Sequence, residues 1–571
     1  GLDADKISIN DDFFRLGGNS ITAIRLVSRL NKVLNISIRV ASIFEQKTIS
    51  NFSHYLGLNQ GDDILIARSS ITKAEEQALS YAQERLWFIE QYEGGSNAYN
   101  IPMVFKLPND IELDILSQSL ISIVNRHEIL RTLVKQDEEG NGYQVVLDDE
   151  QYPLQIQRIE VANQFELDQE LDKERNHIYN LSIEYPIRIK LYELKENIHE
   201  DKERTVTEQY ISIVIHHIAF DGWSTDIFLQ ELETYYQYYL DQSKGLTVSL
   251  NLPDLSIQYK DFALWQKIYL SGDRLATQLT YWQAKLSGYK SLNLITDKIR
   301  PNQIDYKGRD VCFDFDEDTS RSLRELAKEL KVSLYSLLLA GYYLMLRAYS
   351  NQDDIVIGTP VANRHYPQVE YLIGFFVNSL ALRTTIDSSN TLKEFIQRIG
   401  EEVVQAQLHQ DLPFEKLVEE LDIAKDTSRH PIFQVMFGTE GFGTGVSSNS
   451  QYPTRVLEAY TGIDTYNVAK FDLSGFIDES QLCLKGIFNY AESLYNEETI
   501  TNFSKTYVHI LEQFTTLLNN QERQEAVTIT QLSYLSALEY QQVIEQWNDT
   551  DRDYPDNKTI HELFEEQVER T

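Results

Sequence analysis

The chain has 571 residues, more than one hydrophobic core holds, so several domains are expected. An apolar fraction of 42 % and an aromatic fraction of 11 % are those of a folded protein and exclude a disordered one. A formal net charge of −35 repels phosphate backbones and anionic lipids, which argues against nucleic acid and membrane surfaces as partners. The two cysteines, Cys312 and Cys483, lie far apart with no metal-type spacing, as expected of a reducing cytoplasm. No apolar run reaches membrane-spanning length, and no signal peptide opens the chain. The sequence starts at Gly1 and stops at Thr571 within the helical pattern His561–Val568, so both ends are expected to continue in a longer protein.

Residues 1–56 read as helical, with Ile21, Ile24, Val27 and Leu30, then Ile49, Phe52 and Leu56, at helical spacing. Residues 57–72, with Gly57, Gly61, Asp62, Asp63 and Ser69, read as a linker. Beyond it the pattern is mixed. A helix is expected over Leu113–Val124, strands over Ile187–Leu194 and Tyr210–His217, and a solvated hairpin loop over the charged stretch Lys195–Glu208. Helices are expected at Leu323–Leu330 and Tyr335–Tyr349, a buried strand at Asp354–Pro360, and a Gly/Ser-rich loop at 441–450.

The first chemically informative string is Asp11-Asp12-Phe13-Phe14-Arg15-Leu16-Gly17-Gly18-Asn19-Ser20-Ile21. Two glycines permit a tight turn, and a serine then opens an amphipathic helix; in isolation Ser20 is a helix cap. The whole string resembles the attachment site of peptidyl carrier proteins. That resemblance implies 4'-phosphopantetheine on the Ser20 hydroxyl, installed by a phosphopantetheinyl transferase. A helix N-terminus suits a phosphodiester, because its free N–H groups and dipole favour negative charge. Carriers of this family are small all-α bundles whose first helix precedes the position of Gly1. Residues 1–56 are therefore expected to be a carrier domain lacking that helix.

The second string is Ile211-Ser212-Ile213-Val214-Ile215-His216-His217-Ile218-Ala219-Phe220-Asp221-Gly222-Trp223-Ser224. A buried strand brings two histidines to its end, and a turn then presents Asp221 and Gly222. One histidine on such a strand is ordinarily a satisfied core residue. This string resembles the His-His-x-x-x-Asp-Gly motif of condensation domains in nonribosomal peptide synthetases, and of their chloramphenicol-acetyltransferase-like relatives. Further motifs of that family occur in order: Ser80–Trp87, Arg126–Thr132, Tyr259–Gln266, Ile373–Ser379, His409–Glu415 and Arg429–Gln434, with Ser379 where threonine is usual. The implied architecture is multidomain: the carrier bundle, then an α/β condensation domain of two lobes in a V with a tunnel between them. Residues 73–520 are expected to form it, the N-terminal lobe over about 73–245 and the C-terminal lobe over about 246–520. Residues 521–571, with Gln546–Thr550 and Thr559–Phe564, resemble a linker and the start of an adenylation domain.

The resemblance implies attack of an acceptor aminoacyl amine, held on a downstream carrier domain, on a donor thioester carried from Ser20. Upstream and downstream synthetase modules would be the partners. His217 is the expected reacting group, either as general base or as a positioning group, with positioning favoured. His216 would pack or orient, and Gly222 would let backbone approach the channel. Asp221 is expected to be structural, paired with Arg126 or Arg131, against the alternative that it only shapes the Asp-Gly turn. Asn378 is a further structural or tunnel candidate. The Ser80–Trp87 string resembles the subtype that takes an L-configured donor. Other readings are an acyltransferase using coenzyme A or another acceptor, a heterocyclising or epimerising relative, and a catalytically inactive docking domain. The intact histidine motif and the fused carrier segment weigh against them.

Overall fold

The computed structural model describes residues 7–13, 16, 23, 26–27, 29–30, 33–34, 38, 41–58, 66–69, 77–93, 96–197, 205–421, 423, 426–439, 457–460, 468–553 and 556–571. Two short helices, α1 (Ala41–Gln46) and α2 (Ile49–Leu58), lie in the carrier segment. The expected Gly/Ser-rich loop at 441–450 falls outside the described residues.

The N-terminal lobe runs through α3 (Tyr81–Glu93), β1 (Asn100–Leu107), α4 (Leu113–Arg126), the hairpin β2–β3 (Thr132–Gln136, Gly142–Val146), β4 (Ile156–Val161), α5 (Gln164–Arg175), β5 (Ile187–Asn197), β6 (Thr205–His216) and α6 (Gly222–Ser243). β6 is central because Ile211, Ile213, Val214 and Ile215 are apolar toward both faces and are all buried. It pairs antiparallel with β1 on one side and β5 on the other, and β4 extends the sheet parallel to β5. The pairing of β5 with β6 continues to Asn197↔Thr205, so the strands take up half of the stretch expected to be a hairpin loop. Helices α4 and α6 pack on each other over this sheet.

Next come α7 (Tyr259–Tyr269) and α8 (Gly272–Leu286), and then the C-terminal lobe. Its elements are β7 (Gly308–Asp314), α9 (Glu317–Leu330), α10 (Leu334–Ser350), β8 (Asp354–Val361), β9 (Asn378–Thr385), α11 (Leu392–Leu408), α12 (Phe414–Glu420), β10 (Val435–Thr439), β11 (Glu458–Ala459), β12 (Leu473–Asp478), β13 (Lys485–Ala491) and α13 (Glu497–Leu517). The sheet order is β7-β13-β12-β10-β8-β9. Helix α10 is apolar all round and buried from Ser336 to Leu346, as a helix inside a core must be. Ser333 caps its start, and Asn351 at φ 52° ends it.

The lobes exchange segments, which moves the expected boundaries. β11 leaves the C-terminal lobe and pairs with β1 of the N-terminal sheet. Ile257, Tyr259, Phe262 and Ala263 sit in the N-terminal core, as do Tyr366, Val369, Leu372, Ile373 and Phe376. The boundary expected near 245 therefore lies too early: the C-terminal core begins at Trp282. That core also takes in Val527, Ile529 and Leu532, beyond the expected end at 520. A sequence boundary assumes that each lobe is one continuous segment, and here neither is.

Candidate active site

Strand β6 ends where the chemistry-bearing residues begin. His216, fully buried, is the last strand residue and stands opposite Asn100 of β1. Its Nδ1 accepts the Ile218 N–H at 3.2 Å, which leaves Nε2 protonated and directed to Glu90 Oε1 at 3.3 Å. His217 opens a short 3₁₀ turn, and its N–H donates to the Tyr99 carbonyl at 2.8 Å. The turn is held from below by Gln83 of the Ser80–Trp87 string, whose Nε2 donates to the Ile218 carbonyl at 3.2 Å.

The His217 ring is half-buried and stands edge-on to Phe375, with centroids 4.8 Å apart. Its Nδ1 is enclosed with no hydrogen-bond partner among the described residues. Burial, the Lys470 ammonium and the neighbouring His216 together hold His217 well below the ordinary histidine range. At neutral pH the ring is therefore uncharged and able to accept a proton. Lys470 comes from the C-terminal lobe just ahead of β12, and its Nζ stands 5.2 Å from the Tyr99 ring centre. Burial and the Arg85 guanidinium push Lys470 down to about 8. Burial and the same two cations bring His430 to about 3. Arg85 itself pairs with Glu415 at 3.1 Å, joining α3 of one lobe to α12 of the other.

Asp221 caps α6, and its carboxylate is fully used. Oδ1 accepts from Ser224 N at 2.9 Å and from Arg364 Nη2 at 3.1 Å, and Oδ2 accepts from Phe376 N at 3.0 Å. Asp221 and Arg364 are both 0 % exposed. Arg364 also donates to the Val369 and Leu372 carbonyls at 2.8 and 2.6 Å, and its guanidinium stacks 4.1 Å from the Phe376 ring centre. The partner of Asp221 is thus Arg364, which corrects the expected Arg126 or Arg131. Arg126 instead pairs with Glu231 at 2.9 Å and donates to the Pro253 carbonyl. Arg131 donates to the Leu147 carbonyl. Glu231, on α6, is also bound by His127 Nε2 at 2.9 Å.

Gly222 is the first residue of α6, half-buried beside this ion pair. Asn378 opens β9, where its Nδ2 donates to the Gln410 and Leu412 carbonyls at 3.0 and 2.8 Å and its Oδ1 accepts from Phe414 N at 3.0 Å. It shapes the His409–Glu415 segment. The motif strings also lock one another: the Tyr259 hydroxyl donates to the Phe375 carbonyl at 2.6 Å and accepts from Ser80 Oγ at 2.8 Å. Gly374 makes this possible, because a Cβ there would sit 2.2 Å from the Tyr259 ring.

Arg364 and Lys470 were not found by sequence reasoning. The available signal for Arg364 was its place just past a buried strand, in Ala362-Asn363-Arg364. Lys470 had only Val468-Ala469 before it and Phe471 after it. Ser20, Gly17 and Gly18 lie outside the described residues. After them, the described positions 23, 26, 27, 29, 30, 33 and 34 are helical, with Ala23 and Val27 buried. An amphipathic helix downstream of Ser20 fits an attachment site at its start.

Comparison with known proteins agrees with this geometry. The family model of the condensation domain matches residues 73–533, and that of the phosphopantetheine attachment site matches residues 1–56. The chain is 37 % identical over 510 residues to N-(5-amino-5-carboxypentanoyl)-L-cysteinyl-D-valine synthase of Amycolatopsis lactamdurans, covering 89 % of this chain and 13 % of that protein. It is 33 % identical over 576 residues to gramicidin S synthase 2 of Aneurinibacillus migulanus, covering 100 % of this chain and 12 % of that one. The chain thus spans only about an eighth of the length of these relatives. Among solved structures, the X-domain from teicoplanin biosynthesis shares the fold with a TM-score of 0.69 at 23 % identity, over 82 % of this chain and 100 % of that one. The first condensation domain of the calcium-dependent antibiotic synthetase does so with a TM-score of 0.59 at 16 % identity, over 80 % and 99 %. The chain belongs to the condensation-domain family of nonribosomal peptide synthetases, with a phosphopantetheine carrier segment in front of its condensation domain.

Proposed function

We propose that this chain forms a peptide bond between a donor aminoacyl or peptidyl group carried from Ser20 and the amine of an acceptor aminoacyl thioester on a downstream carrier. The observation that carries the proposal is His217, an uncharged imidazole at the seam of the two lobes, flanked by the cation Lys470. When bound, 4'-phosphopantetheine supplies the thioester whose carbon the acceptor amine attacks.

A histidine held this far down is a weak base. It is too weak to strip a free amine before attack, but once the new C–N bond makes the nitrogen cationic, that proton becomes acidic enough for His217 to take. His217 would then hold a proton that it can return to the leaving thiolate. His217 thus holds the amine in line and accepts its proton late. His216, pinned between Ile218 and Glu90, fixes the turn that presents His217. The Asp221–Arg364 pair fixes the other end of that turn. Attachment of the arm would be the work of a phosphopantetheinyl transferase. Two cysteines far apart in the chain fit a cytoplasmic setting; among the described residues no helix is long and apolar enough to cross a membrane. Single-turnover peptide formation from a loaded donor and a soluble acceptor amine tests the proposal; absence of the amide product would refute it.

A further inference from the structure

Among the cations around His217, Lys470 stands apart. Arg85 is neutralised by Glu415 at 3.1 Å and lies over the Phe414 ring. Arg300, which borders the small cleft beside His430 and Lys470, is held by both oxygens of the Asp472 carboxylate. Arg364 is paired with Asp221. No carboxylate pairs with Lys470 among the described residues: the charge that acts on it is the Arg85 guanidinium, of like sign, and its ammonium stands over the Tyr99 ring. A largely desolvated cation with no counter-charge is costly to keep, and such groups recur where an anion must be met.

The position is also a fixed one. Ala469 N–H donates to the Tyr306 carbonyl and Asp472 N–H to the Gln434 carbonyl, both at 2.9 Å, so the backbone is held on either side of Lys470. The Tyr306 ring stands edge-on to Tyr99, with centroids 6.3 Å apart. Tyr99 in turn holds the His217 backbone through its carbonyl and lies under the Lys470 ammonium with its ring. The titratable groups facing this spot are His217 at the end of β6, Arg85 of α3 and His430 ahead of β10, and no carboxylate acts on His217, His430 or Lys470. His217, His430 and Lys470 are each half-buried beside the buried His216, Ile218 and Ala469, as side chains bordering an opening are.

Attack of an amine on a thioester moves the carbonyl electrons onto oxygen, and His217, which takes the amine proton, leaves that new charge unmet. We infer that Lys470 is a further catalytic residue, whose ammonium pairs with the oxygen of the donor carbonyl as the tetrahedral intermediate forms. The inference rests on the peptide-forming reading given above. The ammonium keeps its own protons throughout. The amine lone pair makes the C–N bond while the carbonyl electrons rest on oxygen beside Lys470. On their return the C–S bond breaks, and the proton passes from the amine to His217 and then to the leaving thiolate. A charge fixed in place before the reaction needs no reorganisation when the oxyanion appears, and it acts most strongly where water is excluded. Burial and Arg85 bring Lys470 to about 8, which leaves it mainly protonated at neutral pH.

The test uses the full chain with a donor loaded on its arm, a soluble acceptor aminoacyl thioester, and the variants Lys470→Met and Lys470→Arg. Lys470→Met leaves no carboxylate unpaired, so it keeps its fold. Two roles for Lys470 predict opposite signs. An ammonium that only holds His217 down leaves, on removal, a more basic His217 and a plateau rate that stays or rises. An ammonium that meets the oxyanion leaves a plateau rate lower by about 10²-fold, with the KM for the acceptor within about threefold. The second result is expected. The charge is needed, so parental activity should fall as pH rises through about 8. Lys470→Arg stays charged there; it should lose that alkaline limb and recover at least about tenfold over Lys470→Met. A phosphonamidate analogue of the tetrahedral intermediate gives a readout without turnover. It should bind the parent at least about tenfold more tightly than Lys470→Met, while the amide product binds both alike. An undiminished plateau in Lys470→Met, an alkaline limb that survives in Lys470→Arg, or equal phosphonamidate binding would overturn the assignment. Absence of amide from the parent would refute the functional reading instead, and the phosphonamidate comparison would still judge Lys470.

Discussion

Asp221→Ala separates structure from chemistry in the His216–Ser224 segment. The substitution removes the only carboxylate described as pairing with Arg364, while the guanidinium stays 0 % exposed. Removing one partner of a buried ion pair costs about 3–5 kcal/mol, because the other charge is left uncompensated. Loss of the cap on Ser224 N adds about 1 kcal/mol. Phe376 N–H loses its acceptor too, so the Ile373–Ser379 string loosens with the helix. The assay is urea unfolding followed by tryptophan fluorescence, on Asp221→Ala, Arg364→Met and the double variant. Each single change should lower stability strongly. The double variant should lose less than the sum of the two by about 1–3 kcal/mol, since Met fills the guanidinium site without needing a counter-ion. Activity should fall in parallel with stability. An unchanged unfolding midpoint for Asp221→Ala, with activity gone, would refute this reasoning and place the carboxylate in the chemistry.

Three further outcomes follow. Lys470→Met removes a cation that helps hold His217 down. Because activity needs uncharged His217, the acid limb of the pH–rate profile lies well below 6.5 in the parent and should move to higher pH in the variant; a limb that stays or moves lower contradicts this assignment. Incubation with a phosphopantetheinyl transferase and coenzyme A should add one arm to the chain by intact mass and none to Ser20→Ala; modification of the variant would move the attachment point elsewhere. The donor should be L-configured at its reacting residue, since Ser80–Trp87 resembles the L-donor string. Equal or better use of a D-donor in paired loading experiments would overturn that.

The parts of this molecule legible in its sequence are those written in local patterns. The mostly apolar run Ile211–Ile215 marks the central strand, the apolar stretch Leu337–Leu346 marks the buried helix, and the motif strings mark the segments that meet around His217. Contacts between residues far apart in the chain were not legible. Asp221 and Arg364 are 143 positions apart, and nothing in the spacing of either indicates the other. Arg126 attracted the assignment because it sits in a motif, yet its own neighbour Glu231, on the buried face of α6, had already claimed it. The return of β11 to the N-terminal sheet and the anchoring of Ile66 by Gln368 are invisible for the same reason: two backbone pairings and one side-chain amide leave no periodic trace. Lys470 became informative only when the fold laid it over Tyr99 and near enough to His217 to act on its charge, because a lysine in a chain reads as a solvated charge until its surroundings are known.

The most direct test of the account is a single-turnover measurement with donor loaded on Ser20 and a soluble acceptor aminoacyl thioester, comparing the parent with His217→Ala at matched stability. The account predicts amide product from the parent and a rate lower by about 10²-fold or more in the variant, the usual loss when a proton-accepting side chain is removed. Near-parental turnover by a folded His217→Ala protein would contradict it.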